Sequence, residues 1–173
     1  MNKKGLYFGL AYSLFVIIFK LVILFGGFSL THFGWYYSNI TAVFMVIPFY
    51  ILAIKSTRDK DYNGVIGGKE ATRIALTVFI VGAVLVSAYN YFEFEYAGKK
   101  IAIEYYNSAQ FLDYLKKLPQ VKEADYAKII EEQIKNTEVS AFKATTGKLF
   151  SYILLGLSST FICAVLLKRN RVN

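Results

Sequence analysis

Residues 55–73, KSTRDKDYNGVIGGKEATR, form a basic, glycine-containing segment between two long apolar runs. The segment carries five Lys/Arg and three Asp/Glu. Basic loops that flank membrane-spanning helices are retained on the cytoplasmic side of a bilayer. This segment therefore sets the predicted orientation of the apolar runs on either side of it.

The composition of the chain is typical of a membrane protein. Of its 173 residues, 55% are hydrophobic and 17% are aromatic, although the formal net charge is +8. A helix needs roughly 20 apolar residues to cross a hydrocarbon layer of about 30 Å. Four runs approach this length, which predicts an all-α integral membrane protein with a single four-helix domain. The predicted spans are residues 5–28, 37–54, 74–94 and 149–167.

The first two runs each raise a separate question. The first follows Lys3 and Lys4, as a signal peptide would, but it is longer than a signal-peptide core and lacks a clear cleavage site before Trp35. We expect it to be retained as a span. The second run is the shortest and contains Pro48, which predicts a kink. Trp35 and Tyr36 lie at its start and are predicted to anchor it at the membrane interface.

The charges around the spans predict that both termini are cytoplasmic. With four spans, the termini share one side with residues 55–73, and that side carries ten Lys/Arg and three Asp/Glu. The short loop 29–36 on the other side has no Lys/Arg, and long translocated segments contribute little to orientation. A basic face attracts anionic lipid headgroups. The residues expected to dock such a lipid, or a partner, are Arg58, Lys60, Lys69 and Arg73.

Lys20 is the one charged side chain well inside a predicted span. Glu93 and Glu95 close the third span near the same predicted boundary. Ionisable residues within a membrane are costly and point to a pairing or a function. Three interpretations are open: a structural ion pair of Lys20 with Glu93 or Glu95, a lysine that extends to the interface, and a role in binding an ion or a substrate.

Small residues recur every four positions in the first and last spans. Each set lies on one helical stripe, where another backbone can approach closely. The stripes are Gly5, Gly9 and Ser13 in the first span and Gly156, Thr160 and Ala164 in the last. We expect them to pack within the chain, the last stripe against the first, and a homodimer seam is the alternative.

Residues 95–146 are the only sizeable polar segment and are predicted to form an extracytoplasmic helical hairpin. Its helices are expected over residues 100–118 and 121–142, with Pro119 between them. Each has an apolar stripe, expected to pack on the other, on the bilayer or on a partner. The stripes are Ile101, Tyr105, Leu112 and Leu115, then Tyr126, Ile130, Ile134 and Thr137.

The sequence contains no pattern typical of a catalytic, metal or cofactor site. One histidine, His32, and one cysteine, Cys163, cannot assemble a familiar zinc site. The glycine-rich loop lacks the spacing of a phosphate-binding loop, and Glu70 replaces the hydroxyl residue of that motif. Glu131 and Glu132 would point about 100° apart on a helix. No catalytic residue, metal, cofactor or nucleic-acid partner is therefore expected.

The loop also resembles the hallmark of a known family. Residues 58–66, RDKDYNGVI, followed by Ala71 and an apolar run, are similar to a family of small four-span inner-membrane proteins of the Bacteroidota type, domain of unknown function 4199. The resemblance extends to the layout of the spans, the polar insert and the basic Leu-Leu-Lys-Arg end. It implies four spans in a bacterial inner membrane, and it implies no activity.

Three classes of function compete. A non-catalytic accessory or scaffolding subunit of an inner-membrane assembly is favoured because no catalytic constellation is recognised. By analogy with other small four-span proteins, its partner could be a polyprenyl-phosphate sugar-transferring enzyme, whose anionic lipid would suit the basic face. The alternative is a small oligomeric transporter or channel, and a lipid-acting enzyme is least favoured. A transport path would use the polar residues Lys20, Asn39, Thr41, Thr77 and Asn90.

Overall fold

The computed structural model describes residues 2–168, which form helices and turns with no β-strand in that range. Four helical segments are long and apolar enough to cross a membrane: Lys3–Phe25, Phe33–Asp61, Gly68–Tyr106 and Ala141–Leu167. The predicted all-α fold with four apolar helices is confirmed. In chain order the α-helices are α1 (Lys3–Phe25), α2 (Ser38–Phe44), α3 (Val46–Asp61), α4 (Gly68–Glu93), α5 (Lys99–Tyr106), α6 (Ala109–Lys116), α7 (Tyr126–Asn136) and α8 (Ala141–Leu167).

The helix of the second apolar segment is interrupted close to Pro48. It begins with a π-helical turn, Phe33–Tyr37, continues as α2 and breaks at Met45 before α3. Pro48 has no N–H to donate to the carbonyl of Phe44, so the regular bonding pattern cannot run through this point. The break therefore lies one turn before the proline.

The third apolar segment continues well past its predicted end. After α4 the chain passes through a π-helical turn, Phe94–Gly98, directly into α5. The helix divides only at Ser108, whose hydroxyl accepts a hydrogen bond from the Phe111 N–H at 3.3 Å and begins α6. The expected helix over residues 100–118 is therefore wrong, because a serine cap splits it and its first half belongs to the spanning helix.

The last apolar helix begins earlier than predicted. α7 ends at Asn136, and Ser140 caps α8 by accepting a hydrogen bond from the Lys143 N–H at 3.3 Å. The expected helix over residues 121–142 is therefore wrong at its C-terminal end. This earlier start places Lys148 inside α8, two turns after its first residue.

Helix α4 lies at the centre of the bundle, and α1, α3 and α8 pack around it. A Cβ added at Gly9 would lie 2.8 Å from Val81 Cβ, and one added at Gly156 would lie 2.1 Å from the Phe79 ring. Both partners belong to α4. The expected packing of the two small-residue stripes on each other is therefore wrong. Each stripe packs against α4, which lies between α1 and α8.

The remaining members of the two stripes are buried in the same packing. The Ser13 hydroxyl donates to the Gly9 carbonyl at 2.7 Å, and the Thr160 hydroxyl donates to the Gly156 carbonyl at 2.8 Å. These bonds satisfy each hydroxyl within its own helix, so the side chains can be buried at a helix contact. Ala164 is also buried.

One end of the bundle gathers the starts of α1 and α4 and the ends of α3 and α8. Lys4 Nζ lies 2.8 Å from Asp61 Oδ1, and Lys168 lies beside Gly68. The loop 62–67 turns here through positive φ values at Asn63 and Gly64. We call this the basic end. Two arginines counted in its predicted charge, Arg169 and Arg171, lie outside the described residues.

Helices α5, α6 and α7 form a cap on the opposite end of the bundle. The cap has its own apolar core, which contains predicted stripe residues from both halves of the insert together with Trp35 from the 29–37 connection. Phe111 and Tyr106 are buried there although neither was predicted. The core residues are Ala102, Tyr105, Tyr106, Phe111 and Leu115, with Trp35, Tyr114, Leu118, Tyr126, Ile129, Ile130 and Ile134 packed against them.

Candidate functional site: a charged cavity between bundle and cap

A cavity of about 420 Å³ lies between the bundle and the cap. Residues of α1, α2, α4 and α8 line it from the bundle, and residues of α5 and α7 line it from the cap. Its charged lining residues are Lys20, Glu93 and Lys148. Because a buried ion pair and enclosed space meet here, we take this cavity as the candidate site.

Lys20 is buried in an ion pair. Its side chain is 5% exposed, and its Nζ lies 2.5 Å from Glu93 Oε2. Lys20 precedes the end of α1 by five residues, which is about 8 Å of helix. Glu95, the other carboxylate considered for this pairing, is exposed. The geometry is that of a structural tie between α1 and the end of α4.

Further polar side chains continue from this pair into the bundle. The Tyr89 ring centre lies 5.8 Å from Lys20 Nζ, and Tyr89 also interacts with Glu93. Asn90 is 1% exposed and lies beside Tyr152 of α8. Thr77, by contrast, donates its hydroxyl to the Arg73 carbonyl at 2.9 Å and contributes no group to this cluster.

Lys148 is the site residue that sequence reasoning missed. It lines the cavity, close enough to Lys20 and Glu93 for all three charges to interact. The apolar run that predicted the fourth span begins at Leu149, so Lys148 was counted as part of the polar insert. The signal that could have placed it is Ser140, an N-cap residue that extends α8 toward its N-terminus.

Aromatic residues fasten the cap to the 29–37 connection. His32 Nδ1 lies 2.9 Å from the Tyr105 hydroxyl, and the imidazole stacks on Tyr114 with ring centres 4.3 Å apart. Trp35 Nε1 donates to the Tyr106 hydroxyl at 3.2 Å. Trp35 therefore packs against the cap. No group of three or more potential metal ligands occurs within residues 2–168.

The four basic residues predicted to dock a lipid or partner lie apart from the cavity, at the basic end. Lys60, Lys69 and Arg73 are exposed, and Arg58 Nε lies 2.7 Å from Asp59 Oδ1. Lys69 and Arg73 are four residues apart on α4 and so share one face. The structure thus places the predicted residues at one end without bringing all four into one site.

The remaining residues considered for chemistry lie outside the cavity lining. Cys163 is buried within α8, as expected of an inert thiol. Glu131 and Glu132 are exposed on α7, where charged side chains are solvated. The cavity itself combines space for a ligand with three charged side chains.

Comparison with known proteins gives one result. The family described as "Protein of unknown function (DUF4199)" matches residues 3–169. No curated protein and no solved structure showed a significant match. Because the family match covers α1 to α8 and almost the whole chain, the protein belongs to the DUF4199 family of proteins of unknown function.

Proposed function

We propose that the protein is a non-catalytic accessory or scaffolding subunit of a protein assembly in a bacterial inner membrane. The attachment of the cap at two places is the observation that carries this proposal. α4 runs without a break into α5, and Trp35 and His32 bond the cap to the connection between α1 and α2. A cap held at both sides presents its charged outer surface in a fixed orientation, which suits recognition of a partner protein.

The orientation of this surface follows from charge. The basic end carries the excess of Lys/Arg, so the positive-inside rule favours a cytoplasmic position for it. The cap would then face away from the cytoplasm, because it lies at the opposite end of the four apolar helices. A partner of the cap would have its own extracytoplasmic surface.

The basic end is proposed to bind anionic lipid headgroups through Lys69 and Arg73. Both side chains are exposed on one face of α4, whereas Arg58 is already paired with Asp59. Each basic residue near a membrane surface contributes about 1 kcal/mol to attraction for anionic lipid. A polyprenyl-phosphate is also an anionic lipid, so the same basic residues could attract it. This supports the specific proposal that the partner is an enzyme that uses a polyprenyl-phosphate.

We expect the double variant Lys69→Glu/Arg73→Glu to lose affinity for phosphatidylglycerol by about tenfold or more. The measurement is lipid retention by the purified protein in nanodiscs that contain phosphatidylglycerol and phosphatidylcholine. The matched control is Lys122→Glu/Lys128→Glu, which changes the same charge on exposed residues of the cap. Equal retention by the basic-end variant and the native protein would contradict the lipid proposal.

The accessory proposal is tested by purifying the tagged full-length protein from its native membrane within polymer-extracted discs. We expect a second protein at fixed stoichiometry. Reversing the exposed cap residues Glu131 and Glu132 to lysine should release it, whereas reversing Lys69 and Arg73 should not. Recovery of a homo-oligomer without another protein, together with ion flux in liposomes, would overturn the proposal.

That outcome would support the second candidate, a small oligomeric transporter or channel. The Lys20–Glu93 pair beside a cavity is the observation that favours it, because charged residues inside membrane helices often mark ion or substrate pathways. The accessory role is preferred because, among the described residues, the charged side chains of this cluster stay at the cavity. Beyond Asn90 and Tyr152 the cluster continues only through neutral hydroxyl groups such as those of Tyr12 and Tyr50.

A further inference from the structure

We propose that the cavity between bundle and cap binds a small amphipathic anion. Such a ligand has an apolar body and one anionic oxygen group, a carboxylate or a phosphate, which pairs with Lys148. This binding site is independent of the accessory role, because neither the basic end nor the outer cap surface contributes to it.

The charges of the cavity provide the first argument. Its lining contains two lysines and one carboxylate, and the carboxylate of Glu93 bonds Lys20. No carboxylate among the described lining residues is left for Lys148. Lys148 is half-buried and shares the single negative charge of Glu93 with Lys20, so the cavity lining carries a net positive charge. An anion in the cavity would neutralise it.

The size and walls of the cavity provide the second argument. A volume of about 420 Å³ falls within the range of small-molecule sites, roughly 300–1,000 Å³. Part of the cavity lining is apolar or aromatic, as a ligand with an apolar body requires. This part includes Ile23, Leu24, Trp35, Phe94 and Ile101.

An amide in the lining provides the third argument. Asn39 lines the cavity, and its Oδ1 is buried without a hydrogen-bond partner in the described part of the chain. A buried polar atom without a partner costs free energy that a ligand can recover. Because the amide can present either its oxygen or its nitrogen, it can accept from a ligand hydroxyl or donate to an anionic oxygen.

The chain contains its own reporter for this site. Trp35 is the only tryptophan in the sequence, and it lines the cavity. Its fluorescence in the full-length protein, reconstituted in phosphatidylcholine nanodiscs, can be followed during titration. The soluble probes are 3-phenylpropionate and phenyl phosphate, with 3-phenylpropanol and 3-phenylpropylamine as neutral and cationic analogues.

We expect a saturable change with the two anions and none with the two analogues. Lys148→Met should weaken binding of the anions by about tenfold or more, as loss of a charge-assisted hydrogen bond requires. Lys148→Arg should retain binding of the anions, because it keeps the positive charge. The matched control is Lys143→Met, on the exposed side of the same helix. The unfolding temperature of Lys148→Met is measured as well, and a value equal to that of the native protein would show that the variant is folded.

A second arm identifies the source of the anion. If the natural ligand is a lipid, phosphatidic acid in the nanodisc changes Trp35 fluorescence and competes with 3-phenylpropionate, and Lys148→Met abolishes both effects. If it is a free solute, the soluble anions bind and phosphatidic acid has no effect. Equal binding of all four soluble probes, or binding that is the same in Lys148→Met and the native protein, would overturn the proposal.

Discussion

Glu93→Gln is expected to lower the free energy of unfolding by about 3–5 kcal/mol, the range for removing one partner of a buried ion pair. Glu93 holds Lys20 at 2.5 Å and also offsets the charge of Lys148. Without it, two ammonium groups share a cavity that has no other described carboxylate. The measurement is reversible unfolding of the full-length protein in mixed micelles of increasing denaturing-detergent content.

Two variants separate the ion pair from other effects. Lys20→Met should cost less than Glu93→Gln, because Lys148 stays close enough to neutralise the remaining carboxylate. Glu95→Gln removes a carboxylate from an exposed position two residues away and should change stability by no more than about 0.5 kcal/mol. A loss for Glu95→Gln as large as that for Glu93→Gln would contradict the assigned pair.

Gly156→Leu is expected to destabilise the bundle by about 1–3 kcal/mol or more, the usual cost of overpacking. A Cβ at this position would lie 2.1 Å from the ring of Phe79 on α4, and the rest of the side chain would increase the overlap. The Gly156 carbonyl also accepts the Thr160 hydroxyl, so a shift of this turn disturbs a second buried group. The same unfolding measurement applies.

Gly147→Leu is the matched control on the same helix. Apart from its chain neighbours and the nearby backbone of its own helix, no atom lies within 4 Å of a Cβ added at Gly147. Leucine also has a higher helix propensity than glycine, so this variant should be neutral or slightly stabilising. If the two leucine variants lost equal stability, close packing of α8 on α4 through Gly156 would be refuted.

The four apolar helices were predictable because hydropathy over about 20 residues depends on composition and needs no knowledge of tertiary contacts. Their boundaries were less predictable. Pro119 does separate two helices as predicted, since α6 ends at Lys116 and α7 begins at Tyr126. The third span was predicted to end at residue 94, but the chain continues there through a π-helical turn and divides instead at Ser108. In the sequence alone, a single serine is a weak indicator of a helix boundary, because serine also occurs at many other positions.

The partner of each small-residue stripe could not be read from sequence. Spacing of four shows that a helix face permits close approach, but it does not identify the helix that approaches. α4 fills that role for Gly9 and for Gly156, although its own contact residues there, Val81 and Phe79, are not small.

The candidate site was half predictable. Lys20 was recognised because a charge within a span is rare, and Glu93 because the two helices reach the same depth. Lys148 and Asn39 become part of one site only when α8 begins at Ala141 and the cap closes over the bundle. The start of α8 has a local signal, the Ser140 cap, but closure of the cap over the bundle is a tertiary event that local patterns do not encode.

Membrane topology is the feature on which the orientation of the cap and of the basic end depends. Two single-cysteine variants test it in a Cys163→Ala background, one with Tyr62→Cys in the loop and one with Glu123→Cys in the cap. Both positions are exposed and lie at opposite ends of the bundle. In intact spheroplasts, a membrane-impermeant maleimide should label only Glu123→Cys, and lysis should make Tyr62→Cys reactive. Labelling of Tyr62→Cys in intact spheroplasts, or equal labelling of both positions there, would contradict four crossings with a cytoplasmic basic end.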